Sequence, residues 1–238
     1  MAKHGKRYDT AKASINPEGN YAPLDAFRLL STFEVAKFDA TVEAHFRLGV
    51  NVRHAEEQLR GTIALPHGTG RQQVVAVFAE GEKAREAEEA GAEFVGGEDL
   101  VKKVEEGFTD FDVAIATPDM MAAVGRLGRV LGPSGKMPNP KTGTVTFDVA
   151  KAVTEIQGGK IEYRTDRAGI VHVGLGKKSF TPEQLTENYA VVLEEILRVK
   201  PAATKGKYIK SISIAQTMGP GIDIDPSITQ NLLEEATA

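Results

Sequence analysis

Cysteine is missing altogether from this chain of 238 residues. Disulfides and thiolate metal sites are therefore excluded, which suits a reducing, cytoplasmic setting. No apolar run approaches the roughly 18 residues of a membrane helix, so no membrane association is expected. The start, Met1-Ala-Lys-His-Gly-Lys-Arg-Tyr8, is basic but lacks the apolar block of a signal peptide. The histidines His4, His45, His54, His67 and His172 are scattered, and none forms a metal pair at helical spacing. No Gly-x-Ser-x-Gly elbow is present. Gly132-Pro-Ser-Gly-Lys136 suggests a phosphate loop, but Val130 stands where the first Gly is needed and Met137 where Ser or Thr is needed. Gly174-Leu-Gly176 is followed by Ser179 rather than a third Gly. The paired acids Glu88-Glu89 and Glu105-Glu106 read as solvated helix faces. No metal, no cofactor and no catalytic residue is expected. The enzyme class that stays open is a nucleotide-dependent one using the middle of the chain.

What is present is a mixed α and β pattern of uneven charge. The net charge of −4 is distributed as +1 over residues 1–67, −5 over 68–159 and 0 over 160–238. An acidic middle between mildly basic flanks suggests separate domains, one of which could face a polyanion.

Residues 1–20 show no periodicity and read as an extended basic arm that orders on a partner. From Pro23 the apolar residues Leu24, Phe27 and Leu30 fall near helical spacing. Residues 42–48 alternate, so the strand's polar face shows Thr41, Glu43, His45 and Arg47. Residues 51–60 read as a loop and 61–66 as a strand, and His67-Gly-Thr-Gly70 breaks the chain. Next come strands at 73–79, 94–95 and 111–116 alternating with helices at 81–90, 98–106 and 120–131, as in a small parallel α/β layer. The loop 131–144, rich in Pro and Gly, precedes a helix that Asp148 could cap. After Gly158-Gly159, residues 160–166 and 169–174 read as a hairpin, 182–199 as a long helix and 205–215 as the last strand. That strand runs into Thr217-Met218-Gly219-Pro220-Gly221, a run that must leave the sheet. Residues after Pro226 read as a loose tail.

Flanks of about 70 residues are marginal alone. The fold class expected is therefore α/β and α+β. Residues 1–67 and 160–238 form one discontinuous α+β domain, with an antiparallel sheet and two helices, and 68–159 form an inserted α/β domain. With enzyme motifs lacking, binding is the remaining chemistry. The parts that suit RNA are the basic arm, Lys37-Phe38 beside a polar strand face, Arg164 and His172, and the Thr-Met-Gly end.

Lys3-His-Gly-Lys-Arg-Tyr8, Lys37-Phe-Asp-Ala-Thr-Val-Glu43, Leu131-Gly-Pro-Ser-Gly-Lys-Met-Pro-Asn-Pro-Lys-Thr-Gly-Thr144 and Thr217-Met-Gly-Pro220 together resemble the L-one family of bacterial large-subunit ribosomal proteins. Arg60-Gly-Thr62, Leu65-Pro-His-Gly68 and Ala116-Thr-Pro-Asp119 match it too. The resemblance runs from Lys3 to about Asp225. It implies a Rossmann-like inserted domain and a non-enzymatic RNA-binding protein of the 50S subunit, monomeric off the ribosome. Large-subunit rRNA would be bound as the mobile stalk near the exit-site tRNA, whose release it assists. The protein's own operon mRNA would be repressed through a similar RNA structure. Carried over, the RNA surface comprises Lys37, Phe38, Thr41 and Glu43 on one strand, and Thr217, Met218 and Gly219 beside it. His4, Gly5, Lys6 and Arg7 extend it from the arm, and Arg164, Asp166 and His172 from the hairpin. Ser134 and Lys136 depart from the Arg and Leu, respectively, that the family commonly shows there, so no contact is carried over to that loop.

Overall fold

The computed structural model describes residues 5–17 and 19–228. His4 and most of the expected tail lie outside them. The chain forms two compact units, Met1–Gly70 with Ile161–Ala238, and Arg71–Lys160.

The first unit begins with helix α1 (Lys6–Ala13), not an extended arm. Tyr8, Ala11 and Ile15 recur at i, i+3 and i+7, and Ala11 is buried in the core with Ile15 against it. That spacing is the signal the opposite reading overlooks. Helix α2 (Pro23–Ser31) follows, with Pro23 at its first turn. Strand β1 (Thr41–Leu48) buries Val42, Ala44, Phe46 and Leu48 and turns Glu43 and Arg47 outward. A single turn of 3-10 helix (Ala55–Glu57) interrupts the expected loop before β2 (Arg60–Ala64).

The second unit contains β3 (Val75–Phe78), α3 (Glu82–Glu89), β4 (Phe94–Gly96), α4 (Glu98–Glu105) and β5 (Val113–Ala116). The strands are parallel in the order β4-β3-β5. The expected helix at 120–131 is broken at its glycines into α5 (Met121–Val124), a 3-10 turn and α6 (Gly128–Leu131). Helix α7 (Val149–Gln157) starts after Asp148, which makes no side-chain cap; its own N–H instead donates to Thr146 Oγ1 at 3.1 Å. Every residue of β3 is buried. Ala76 and Phe78 pack with Leu100 and Leu127, while Val75 and Val77 pack with Val149 and Val153. Helices therefore cover both sheet faces.

The chain then returns to the first unit with β6 (Lys160–Arg164), β7 (Ile170–Lys177), α8 (Pro182–Arg198), β8 (Ile209–Gln216) and β9 (Ile222–Ile224). Of the expected hairpin only the turn end pairs, through an antiparallel bridge between Thr165 and Val171 and Asp166 N–H donating to Ile170 O at 2.8 Å. β6 pairs with β2 in a two-stranded sheet, and β7 joins the sheet β7-β1-β8-β9. Asp166 accepts the N–H groups of Ala168 and Ile170, which closes a turn that redirects the chain between the sheets. This unit thus has two sheets and a third helix beyond the expected pair. β9 is also unforeseen: Ile222 and Ile224 are buried, and three residues is too short for a period to register. Helix α8 opens on a capping box between Thr181 and Gln184. Its face of Leu185, Tyr189, Val192, Leu193 and Ile196 shares one core with α2 and the inner face of the larger sheet. Among the described residues, no helix is long and apolar enough to cross a membrane, and no group of three or more His, Asp or Glu could hold a metal ion.

Candidate nucleic-acid interface

Strands β7 and β8 both run antiparallel to β1, so both end where β1 begins. Thr41 therefore lies opposite Lys177, and Val42 opposite Gln216. Thr217 continues the contact beyond β8: its N–H donates to Thr41 O at 3.0 Å and its hydroxyl reaches the same oxygen at 3.3 Å. Lys177 Nζ donates to Thr41 Oγ1 at 2.9 Å. Two expected stretches, whose contacting residues are 176 apart in sequence, thus meet at one sheet end.

The chain leaves β8 through a four-residue turn, with Gly219 N–H donating to Gln216 O at 2.8 Å. Met218 occupies its third position with φ +69°, the only positive φ outside glycine among the described residues. Type II turns require such a φ at that position and normally place Gly or Asn there. An ordinary side chain in this region costs about 1–2 kcal/mol. Met218 is also 71% exposed, so no core packing holds it there. Residues held in such sparsely populated backbone conformations cluster at binding and catalytic sites.

Phe38, 58% exposed, stands in the segment before β1. Asp39 anchors that segment by accepting Ser179 N–H at 3.0 Å and Ser179 hydroxyl at 2.8 Å, and Ala40 O accepts Lys178 N–H at 2.8 Å. The segment that carries Phe38 is thereby tied down while the ring itself stays largely exposed. Lys37 and Glu43 are exposed beside it. Asp39, Lys177 and Ser179 were missed as parts of the site, since only the β1–β7 register reveals them.

Gly219 is confined by its own chain. Its φ is not positive, and a Cβ built there would lie 2.7 Å from Gln216 Cγ and 3.1 Å from Gln216 O. Gln216 is buried and donates from Nε2 to Phe33 O at 3.1 Å. The glycine thus makes room for its own anchor, and Gly219→Val should lower stability.

The other expected residues are more dispersed. Lys6 and Arg7 are exposed in the first turn of α1, after Gly5. Arg164 is exposed on the two-stranded sheet. Asp166 and His172 flank the turn into β7, 3.5 Å apart. The N–H groups of Ile170 and Ala168, with His172, hold the Asp166 carboxyl below its ordinary range.

Comparison with known proteins decides the family. Residues 30–220 match the Ribosomal protein L1p/L10e family. A relative from Frankia alni, named large ribosomal subunit protein uL1, is 57% identical over 234 residues, 98% of each chain. A second of that name, from Frankia casuarinae, is 57% identical over 236 residues, 99% of each chain. The chain belongs to the ribosomal protein L1 family.

Members of the L1 family are structural ribosomal proteins, which sets aside the nucleotide-dependent enzyme. The departures from the L1 pattern at Ser134 and Lys136 have local explanations. Ser134 Oγ donates to Leu131 O at 3.0 Å. Lys136 Nζ donates to Thr109 O at 3.0 Å and lies 5.4 Å from the centre of the Phe111 ring. Both side chains are engaged within the second unit.

Proposed function

We propose that this chain is a constituent of the large ribosomal subunit that binds large-subunit rRNA in the cytoplasmic ribosome, forming the mobile stalk beside the tRNA exit site. There it assists release of deacylated tRNA. Off the ribosome, as a monomer, it represses its own operon mRNA by binding a similar RNA structure. The RNA surface is the sheet end of Lys37, Phe38, Thr41, Glu43, Thr217, Met218 and Gly219, extended by Gly5, Lys6 and Arg7 of the arm and by Arg164, Asp166 and His172. It belongs to the discontinuous domain 1–67 and 160–238, and the inserted domain 68–159 has a secondary part in RNA contact. Family membership supports the ribosomal role. The observation that supports the site is the strained, exposed Met218 beside the Thr41–Thr217 contact and the open Phe38 ring.

A gel shift with a fragment of the stalk rRNA against an unrelated RNA hairpin tests this. Preference for the stalk fragment is expected, and equal affinity would refute the reading. Thr217→Val and Met218→Asp should each weaken stalk binding about fivefold or more, in line with the about 1–3 kcal/mol of an unmade polar contact. Lys6→Ala should weaken binding to all sequences alike and lower the salt slope by about 1.

A further inference from the structure

The outer face of the four-stranded sheet carries a row of side chains apart from the turn and the arm. Register places His172 opposite His45, His45 opposite Ser213, and Ser213 opposite Asp223, so the row crosses all four strands. The two imidazoles meet with their Nδ1 atoms 2.9 Å apart and their rings edge to face, centres 5.0 Å apart. A contact between two ring nitrogens requires a proton on one and a lone pair on the other. The pair can therefore be neutral or carry one extra proton. A second would set two N–H groups against each other.

The outer nitrogens discriminate between these two states. His45 Nε2 lies 4.0 Å from Glu43 Oε2, and His172 Nε2 lies 3.5 Å from Asp166 Oδ2. In the neutral pair one Nε2 has no proton and would turn a lone pair toward a carboxylate. With one extra proton, both Nε2 atoms carry N–H and each faces an acceptor. The four groups thus form a chain suited to the singly charged pair. Other charges nearby are Arg47 on β1 and Arg167 in the turn before β7. β8 presents Ser211, Ser213 and Ala215, with Lys210 exposed at its bulge, and Asp223 on β9 is held by Ser213 Oγ at 2.6 Å. Burial and the neighbouring His172 hold His45 below its ordinary range, and Glu43 opposes them. An incoming phosphate favours the charged form.

We propose that Glu43, His45, His172 and Asp166 form a proton-loaded contact for the RNA backbone, so that RNA binding on this face takes up a proton. The inference rests on the RNA-binding reading of the same sheet, and it adds His45 to that site. Because the bound form holds the proton more tightly, affinity is flat at high pH and rises as pH falls. It levels off once the free pair is loaded as well.

The test measures affinity of the full chain for the stalk rRNA fragment at pH 8.0, 7.0 and 6.0 and constant ionic strength. Calorimetry in two buffers of different ionisation enthalpy counts the protons. Wild type should gain about tenfold from pH 8.0 to 6.0, with uptake approaching one proton. His45→Gln and His172→Gln should each flatten the profile. His67→Gln, whose imidazole pairs with Glu187, should keep the wild-type slope. A slope that survives His45→Gln, or wild-type binding without proton uptake, overturns the inference. If the stalk fragment is still preferred over an unrelated hairpin at pH 8.0, the RNA-binding reading survives that result. Absence of any preference overturns both.

Discussion

The two units solve the same burial problem in opposite ways. In the second, the parallel sheet is covered on both faces, and its core splits into one cluster on each side of β3. Its loop side chains Ser134 and Lys136 bond within the unit. In the first, α2 and α8 cover one face of an antiparallel sheet and the other face stays open. Backbone strain appears at the end of that sheet, where Met218 has its positive φ. An antiparallel sheet can leave a face to solvent and a parallel one seldom does. One unit thus has a surface to offer a ligand, and the other has used its faces in folding.

The largest expected effect tests how separate the two are. Phe78 is fully buried in the second unit. Phe78→Ala should cost about 3–5 kcal/mol, from lost transfer energy and a residual cavity. Thermal unfolding should show the loss, while affinity for the stalk fragment at 20 °C changes less than about threefold. A parallel loss of binding would show that the RNA surface depends on the second unit.

Gly219→Val should act within the first unit alone. The new side chain meets Gln216, whose amide is tied to Phe33 O. Overpacking of this kind costs about 1–3 kcal/mol. Denaturant unfolding should report that loss together with weaker stalk binding. Full stability with lost binding would return Gly219 to the role of a pure RNA contact.

The periodic elements were legible. β1, α2, α8 and the alternating strands and helices of the middle follow apolar spacing, because each buries one face or both. What escaped depends on contacts distant in sequence. Residues 160–174 alternate like a hairpin, yet β6 and β7 enter different sheets, and only the turn at Asp166 separates them. α1 buries just Ala11, so its helical period is faint. In the site, Phe38, Thr41 and Thr217 could be singled out from sequence. The strain at Met218, the anchor at Gln216 and the partnership of His45 with His172 could not, since φ angles and strand register are properties of the assembled sheet.

The smallest expected effect separates strain from burial most sharply. Glycine adopts the φ of +69° that Met218 holds without a Cβ clash. Met218→Gly therefore relieves about 1–2 kcal/mol of backbone strain. It also gives up about 0.5–1 kcal/mol in the added freedom of the unfolded chain. Since the side chain is largely exposed, little packing is lost. The net expectation is a gain of about 0.5–1 kcal/mol in stability, read by denaturant titration. Binding of the stalk fragment should weaken at the same time, because the apolar side chain that the strain displays is gone. Opposite signs in the two measurements would establish that the first unit keeps Met218 for its ligand and not for its fold. Destabilisation with unchanged binding would make the residue structural and move the RNA surface away from the turn.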